Sequence, residues 1–178
     1  MFWVQFDILT CKAEDAAVIS TLACAAYEAT WGHEMARDHL DHIYATELSA
    51  PAFTTAVQQD VVLGAKAGDV WAGYIHFGHF ERSEHLEEQA ADAGEIRRLY
   101  LLETYHNQGL GSQMLEAALA HPTMAERSEV YLHVWETNPG ARRLYERYGF
   151  VQVGERPEYN PAGEYTGCDY IMRWRRRA

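Results

Sequence analysis

The spacing of hydrophobic and polar positions along the 178 residues predicts an alternation of strands and helices. Residues 129–135 alternate strictly, with Val130, Leu132 and Val134 on one face, as in a β-strand. Apolar positions three and four residues apart predict helices, for example over 109–121. The predicted elements, in chain order, are strand 4–10, helices 13–29 and 36–47, strands 60–66, 70–80 and 95–102, helix 109–121, strand 129–135, helix 139–148, and strands 150–153 and 167–175.

The connections between these elements decide how the strands pair. Gly68-Asp69 is a two-residue hairpin signal, so the strands on either side of it are antiparallel. A strand–helix–strand unit over 95–135 requires a right-handed crossover and parallel pairing. The charged segment 81–94 predicts an exposed excursion that is helical in part. The expected fold is therefore α/β, with a central mixed sheet, helices on both faces, and a single domain over residues 1–178.

Composition and charge narrow the class of partner. Hydrophobic residues make up 48% of the chain, which suffices for a packed core. The net charge of −11 repels nucleic acid and anionic membranes and attracts cations, although solubility alone also explains it. No apolar run approaches the roughly 20 residues of a membrane span, and residues 1–15 lack the pattern of a signal peptide. The three scattered cysteines favour a reducing cytoplasm. We expect a cytoplasmic protein without nucleic-acid or membrane partners.

The segment 95–112 carries the most specific chemical signal. It reads EIRRLYLLETYHNQGLGS and predicts a strand, a turn and a Gly-x-Gly start of a helix. Such a start leaves the first N–H groups of the helix without intrahelical partners, so that they are available to an anion. Gly109 and Gly111 have no Cβ and would let a phosphate approach the backbone closely. A dinucleotide fingerprint is excluded because Met114 stands where a small residue is required, and no Gly-Lys-Ser/Thr of a P-loop is present.

A second block strengthens this interpretation. Strand 129–135 leads into Asn138-Pro139, an N-cap followed by proline at the first helical position. The run Ala-x-x-Leu-Tyr-Glu-x-Tyr-Gly-Phe follows over 141–150. Together the two blocks resemble the GNAT superfamily of acyl-CoA-dependent N-acetyltransferases, whose pyrophosphate motif runs Gln/Arg-x-x-Gly-x-Gly/Ala. The chain departs from that motif at its first position, which is His106.

The resemblance implies a central mixed, largely antiparallel sheet with a splayed parallel strand pair and helices on both faces. It also implies a site for acetyl-CoA, with coenzyme A as a product. The pyrophosphate would lie on backbone N–H groups of loop 106–112, and the pantetheine arm would lie along strand 95–102, where it splays from strand 129–135. The N–H of Leu101 is the implied donor to the thioester carbonyl. The residues implied in cofactor binding are Leu99, Tyr100, Leu101, His106, Asn107, Gln108, Gly109, Leu110, Gly111, Ser112, Asn138, Ala141 and Tyr145.

The resemblance also implies groups that move protons while an amine attacks the thioester directly. Tyr145 would protonate the departing thiolate, since a phenol with a pKa of about 10 suits that task, although helix packing alone would also explain the residue. Either a side chain or a chain of water molecules must remove the proton of the ammonium group. Glu95 is the first side-chain candidate for this base, and an exposed charge at the start of a strand is its alternative interpretation. His76, which is expected to border the cleft, is the second candidate for the base. Its alternative interpretation is a hydrogen-bonded structural histidine. No metal is expected.

The acceptor is the least specified part of the site. Tyr27 and Trp31 fall at the end of the first helix, in a pattern Tyr-x-x-Thr-Trp-Gly that resembles bacterial polyamine-type acetyltransferases. Together with the negative charge, this predicts a small cationic amine such as a polyamine. A protein lysine or N-terminal amine is the first alternative, and a non-catalytic acyl-CoA-binding sensor is the second. The oligomeric state is open, and a homodimer would pair through edge strands near the C-terminus.

Overall fold

The computed structural model describes residues 5–81, 83–159 and 163–176. The strands are β1 (Asp7–Thr10), β2 (Val61–Ala67), β3 (Val70–His79), β4 (Gly94–Leu101), β5 (Glu129–Trp135), β6 (Val151–Tyr159) and β7 (Tyr165–Arg175). The α-helices are α1 (Ala16–Trp31), α2 (Arg37–Ala45), α3 (Ala50–Gln59), α4 (Leu110–Ala120), α5 (Pro122–Ala125) and α6 (Pro139–Arg147). Single 3-10 turns precede α1 and α4. None of the helices within the described ranges is both long and apolar enough to cross a bilayer.

The seven strands form a mixed sheet in the order β1-β2-β3-β4-β5-β7-β6. β4 and β5 are parallel, with Gly94–Ile96 in register with Val130–Leu132. The pairs β1–β2, β2–β3, β5–β7 and β6–β7 are antiparallel. The predicted mixed α/β fold is confirmed, whereas the predicted splay of the rest of β4 from β5 stays a prediction.

Two compact units make up the chain. The N-terminal unit comprises the described residues up to Phe77 together with Arg98–His121. The C-terminal unit comprises Gly78–Arg97 and the described residues from Pro122 onward. β3 and β4 contribute residues to both units because the division falls within each strand. The expectation of a single domain over residues 1–178 stays a prediction.

Each unit has its own cluster of buried apolar side chains. In the N-terminal unit, Ile19 and Leu22 of α1 are buried with Phe53 of α3 and Tyr74 of β3, whose rings meet edge to face at 5.2 Å. In the C-terminal unit, Phe80 stacks on Tyr131 with 4.4 Å between ring centroids, and the cluster also contains Leu86, Ala93 and Ile171. Burial of this apolar surface is the main stabilising term in each unit.

Several predicted elements need correction. Helix α3 was not predicted, although Ser49 caps it by accepting a hydrogen bond from Ala52 N at 3.3 Å. The excursion 81–94 was predicted to be helical in part, which is wrong, because its described residues contain no helix. Most of these residues are exposed, as predicted, but Leu86 and Ala93 are buried. The predicted helix 109–121 corresponds to α4, which ends at Ala120, and the short α5 that begins at Pro122 was not predicted. β6 extends to residue 159, beyond the predicted end. Residues 1–4, with the predicted start of the first strand, and residue 82 of the excursion lie outside the described residues.

Candidate active site

The loop from His106 to Ser112 connects the end of β4 to α4 within the N-terminal unit. Asn107 and Gly109 have φ angles of 59° and 83°, in the left-handed region. Glycine adopts this region freely, and asparagine tolerates it better than most residues. Gly109 is the N-cap of α4, and Gln113 N donates to its carbonyl at 3.1 Å. The two left-handed residues turn the chain from the strand direction into the helix.

The main-chain N–H groups of this loop lie in a tight turn before α4. Within the described part of the chain, no hydrogen bond of good geometry is made by the N–H groups from Asn107 to Ser112. The residues 106–109 are exposed, so water can solvate these donors. The same end of α4 carries the positive end of the helix dipole. The loop therefore offers a row of donors and partial positive charge, whereas the binding of an anion there stays a prediction.

The polar side chains of the loop bind its own backbone. His106 Nε2 lies 3.1 Å from the carbonyl oxygen of Leu101. Gln108 Nε2 donates to the carbonyl of Thr104 at 2.6 Å. The side chain of Leu110 is buried and anchors the start of the helix. These contacts hold the loop in place and leave its N–H groups accessible. The partner of His106 could not be predicted from the motif, which suggested a contact to phosphate at this position.

A cavity of about 170 Å³ lies between α1 and the end of β4, in the same unit. Its lining residues are Ala26, Ala29, Thr30, Leu101, Glu103 and His106. The small side chains of α1 leave this space open. Since a water molecule occupies about 30 Å³ in the liquid, the cavity has room for a narrow part of a ligand. Residues of the predicted pantetheine strand, of the loop and of the helix with the predicted acceptor residues therefore line one cavity.

The strand residues predicted to face the cofactor have different surroundings. Leu102 N donates to the carbonyl of Ala72 in β3 at 2.9 Å. Because successive N–H groups of a strand point to opposite sides, the N–H of Leu101 points away from β3. The carbonyl of Leu101 accepts from Nε2 of His106, and the N–H of Leu101 is the donor implied for the thioester. The ring of Tyr100 packs at 5.8 Å from that of Tyr74, so that its side chain contributes to the protein core.

The predicted acceptor residues belong to an aromatic cluster on α1 and α2. The ring of Tyr27 lies 6.4 Å from that of Trp31 and 6.3 Å from that of Tyr44. Glu28, which the sequence did not single out, accepts from the Tyr44 hydroxyl and from Arg37 at 3.1 Å. Burial and the hydrogen bond to Glu28 raise the pKa of Tyr44 well above its usual value, so its hydroxyl stays a donor. A carboxylate and the faces of aromatic rings both attract cations.

His76 is buried on β3 and does not present a free imidazole. Its Nε2 lies 3.0 Å from Oδ2 of Asp60, the residue that ends α3. A histidine enclosed by the sheet and held by a carboxylate has the geometry of a structural residue. The predicted role of His76 in acceptor binding or as a base stays a prediction, and this geometry favours the structural alternative.

The second block of the sequence, residues 129–150, lies in the C-terminal unit. Asn138 Oδ1 accepts from Ala141 N at 3.1 Å and so caps α6. Tyr145 is buried in the same helix, with its ring 5.8 Å from that of Phe150. Burial raises the pKa of Tyr145 above its usual value, so the phenol stays protonated but is a weaker acid than the value of about 10 on which its predicted role rests. The cofactor contacts of Asn138, Ala141 and Tyr145 stay predictions.

Glu95, the first candidate for the base, forms an ion pair. Its carboxylate accepts from the guanidinium of Arg97, which also donates to the carbonyl of His79 at 2.9 Å. The Glu95 side chain is 15% exposed, so solvent only partly screens this pair. To accept a proton from an amine, the carboxylate would have to compete with a charge-assisted hydrogen bond. The role of Glu95 as a base stays a prediction.

Comparison with known sequences identifies relatives of the chain. Residues 17–150, which are 134 of the 178 residues, match the acetyltransferase (GNAT) family. Over 89 residues the chain is 34% identical to the spermine/spermidine N(1)-acetyltransferase of Bacillus subtilis (strain 168). That match covers 49% of this chain and 57% of the relative, so the chain spans little more than half the length of the relative that it matches.

Solved structures with the same fold cover nearly the whole chain. The PaiA N-acetyltransferase of Thermoplasma acidophilum, in complex with coenzyme A, has a TM-score of 0.74 at 18% identity, over 97% of this chain and 99% of that one. The ribosomal-protein-S18-alanine N-acetyltransferase of Escherichia coli has a TM-score of 0.67 at 16% identity, over 96% of this chain and 94% of that one. At these identities the likeness establishes the fold.

Proposed function

Because the chain belongs to the acetyltransferase (GNAT) family, we propose that it transfers the acetyl group of acetyl-CoA to a primary amine by direct attack. The observation that carries this proposal is the row of N–H groups from Asn107 to Ser112 at the start of α4, which make no hydrogen bond of good geometry among the described residues. A diphosphate is an anion that such a row would bind. The coenzyme A complex of the Thermoplasma acidophilum protein supports this choice of anion.

In this mechanism the chain's own residues orient and polarise the substrates. The N–H groups of the loop would hold the diphosphate, and the N–H of Leu101, which points away from β3, would donate to the thioester carbonyl. Tyr145 would supply the proton that the departing thiolate needs. Glu95 or a chain of water molecules would remove the proton of the ammonium group, since a protonated amine cannot attack.

We further propose a small cationic amine, such as a polyamine, as the acceptor. The name of the Bacillus subtilis relative, a spermine/spermidine N(1)-acetyltransferase, supports this class. The net charge of −11 attracts cations over a long range. At short range the aromatic rings of Tyr27, Trp31 and Tyr44 would attract a cation. Glu28 would add its charge only if the cation replaced Arg37, with which it is paired.

A coenzyme A release assay with a panel of acceptors tests the function. The panel contains spermidine, spermine, a lysine peptide and a peptide with a free N-terminal alanine, each with acetyl-CoA. We expect turnover with the polyamines and little with the peptides. Turnover confined to a peptide would overturn the acceptor class. Binding of acetyl-CoA without turnover of any amine would identify a sensor in place of an enzyme.

Substitution of Gly109 tests the phosphate loop itself. A Cβ at Gly109 meets no protein atom closer than 3.9 Å, so the alanine variant changes the φ preference without a clash. Forcing alanine into the left-handed region costs about 1–2 kcal/mol. We expect Gly109→Ala to weaken acetyl-CoA binding at least several-fold by calorimetry. Gly68→Ala is the matched control, because Gly68 has a φ of 61° in the hairpin turn and open space around it. Equal affinities of the two variants would place the diphosphate elsewhere.

A further inference from the structure

Gly73 lies in β3, directly against the end of β4. Leu102 N donates to the carbonyl of Ala72 at 2.9 Å, which holds the end of β4 beside β3. A Cβ placed on Gly73 would overlap Cδ2 of Leu101, and it would lie 3.3 Å from Cα of the same residue. It would also lie 2.8 Å from the carbonyl oxygen of Tyr100. Two of these three atoms belong to the main chain of β4, so a methyl group could enter only if that strand moved.

The space around Gly73, and not its backbone conformation, requires a glycine. Its φ angle lies outside the left-handed region, so an L-residue with a side chain could adopt the same main-chain conformation. A glycine inside a strand weakens the strand, and it often marks a place where a ligand or another backbone approaches closely. Here the backbone that approaches is that of residues 100–101, within the same N-terminal unit.

We propose that Gly73 is a positioning residue, which lets the main chain of β4 lie close enough to β3 to place the N–H of Leu101 at the thioester carbonyl. The inference rests on the proposed function, in which that N–H is the donor. Successive N–H groups of a strand point to opposite sides, so the bond from Leu102 N to Ala72 directs the N–H of Leu101 away from β3. Gly73 then determines how closely the strand approaches when this bond is made.

A small displacement of this N–H has a large effect on the transfer. Negative charge develops on the carbonyl oxygen as the amine nitrogen bonds to the carbonyl carbon, and the electron pair of the C–S bond then leaves with the sulfur. A donor stabilises this charge only if its nitrogen lies about 2.7–3.1 Å from the oxygen. A methyl group at Gly73 would push the main chain of Tyr100 and Leu101 away from β3, and the donor would move with it.

Steady-state kinetics of Gly73→Ala measure the effect on the transfer, with the acceptor that is turned over fastest in the coenzyme A release assay. We expect kcat to fall about 10- to 100-fold, because the donor to the developing charge is displaced. Coenzyme A has no thioester carbonyl, so calorimetry should give an affinity within about twofold of that of the unmodified protein. This split between kcat and affinity distinguishes a positioning role from a general loss of structure.

Infrared difference spectroscopy reports the hydrogen bond itself and needs no acceptor. The ligand is acetyl-CoA that is isotope-labelled at the carbonyl carbon of its acetyl group. Donation of a hydrogen bond to a carbonyl oxygen lowers its stretching frequency. We expect the labelled band to lie at a lower frequency in the complex with the unmodified protein than in the complex with Gly73→Ala.

Gly64→Ala is the matched control. Gly64 is also buried in a strand of the N-terminal unit, and its φ angle also lies outside the left-handed region. A Cβ on Gly64 would overlap the ring of Trp71 and lie 3.0 Å from Sγ of Cys11, so it would disturb side chains and not the main chain of β4. We expect Gly64→Ala to lower the melting temperature as Gly73→Ala does, but to keep kcat.

A double variant keeps the test available should Gly73→Ala fail to fold. Gly73→Ala combined with Leu101→Ala removes the side-chain atom that the new methyl group would overlap, whereas the approach to the carbonyl oxygen of Tyr100 remains. The double variant is compared with Leu101→Ala alone. We expect a lower kcat in the double variant, and an equal kcat would overturn the inference.

The outcomes separate this inference from the proposed function. An unchanged kcat of Gly73→Ala would overturn the inference, and so would an equal loss of kcat in Gly64→Ala. A labelled band at the same frequency in both complexes would overturn it as well. If the unmodified protein bound acetyl-CoA without turnover of any acceptor, the proposed function would fall, and the infrared band would still decide whether Gly73 positions the donor.

Discussion

Tyr74 has a hydroxyl group in the core of the N-terminal unit, and no hydrogen-bond partner for it lies among the described residues. The side chain is fully buried, and burial raises its pKa well above the usual value. An unsatisfied buried polar group costs about 1–3 kcal/mol. We therefore expect Tyr74→Phe to raise the free energy of unfolding by about 1 kcal/mol in urea titrations at neutral pH. A loss of stability of that size would show that the hydroxyl has a partner such as an ordered water.

Tyr145 has a buried phenol that could serve catalysis or only packing. If it protonates the thiolate, Tyr145→Phe should lower kcat by about 10²–10⁴-fold with little change in the affinity for acetyl-CoA. Steady-state kinetics with calorimetry of cofactor binding separate the two effects. Tyr159→Phe is the control, because Tyr159 is an exposed tyrosine of the same unit, 59% accessible to solvent. An unchanged kcat in Tyr145→Phe would leave only the packing role.

At the scale of single residues, the sequence predicted local backbone geometry better than it predicted which groups the side chains contact. The unpaired N–H groups of the loop follow from the Gly-x-Gly pattern, because backbone geometry at a helix start depends on local residues. The bond from His106 to Leu101 and the pairing of His76 with Asp60 do not follow from any local pattern. Each depends on the rotamer and the fold around the side chain.

At the scale of elements, Asn138 caps α6 and is also predicted to contact the cofactor. Its Oδ1 accepts from Ala141 N and satisfies one of the free donors of α6. Asn138→Ala should therefore cost about 1 kcal/mol of stability and also weaken acetyl-CoA binding. Asn138→Ser keeps a capping oxygen and should keep most of the stability while losing affinity.

Thermal unfolding and calorimetry on the same samples distinguish these roles of Asn138. Ser49→Ala removes the equivalent cap of α3, where Ser49 accepts from Ala52 N, and reports the effect of cap loss alone. If both Asn138 variants bound acetyl-CoA like the unmodified protein, Asn138 would be a cap and no more.

The accuracy of the predicted elements followed the strength of their periodic patterns. β5 spans Glu129–Trp135, as the strict alternation predicted. Helix α3 was missed because Phe53 is its single buried residue and it has two adjacent threonines, so no apolar stripe stands out. Leu86, in the charged excursion, is buried against the C-terminal unit's cluster. One apolar residue among charges has no period that a sequence pattern can reveal.

At the scale of the whole molecule, His133 should make stability depend on pH. Burial, with the positive charge of Arg156 and with His85 nearby, lowers the pKa of His133 from 6.5 to about 4. Between these values the unfolded chain binds a proton that the folded chain does not, so stability falls as the pH decreases from 6.5 towards 4. The full effect is on the order of 3 kcal/mol, from the free energy equivalent of each pKa unit.

Urea unfolding at a series of pH values measures this slope. His133→Gln should flatten the curve between pH 6.5 and 4, and His39→Gln, an exposed histidine of α2, should not. A slope unchanged in His133→Gln would contradict the assignment to His133.

The carboxylate of Glu129 affects stability at lower pH. Burial alone would raise the pKa of Glu129, but hydrogen bonds from Tyr131 and Arg175 outweigh it and hold that pKa below its usual 4.5. The stability that Glu129 contributes is therefore lost only as the pH falls below that value.

The sequence by itself determined the order of most strands and helices, the backbone turn at Gly109 and the family of the chain. These features depend on residue periodicity and on local backbone preferences, which a short window of sequence contains. Only the tertiary structure decided that His106 binds the Leu101 carbonyl, that Glu28 holds Tyr44 and Arg37, and that Leu86 is buried. Such contacts form only when packing sets the distance and direction between side chains, and no local pattern records the outcome.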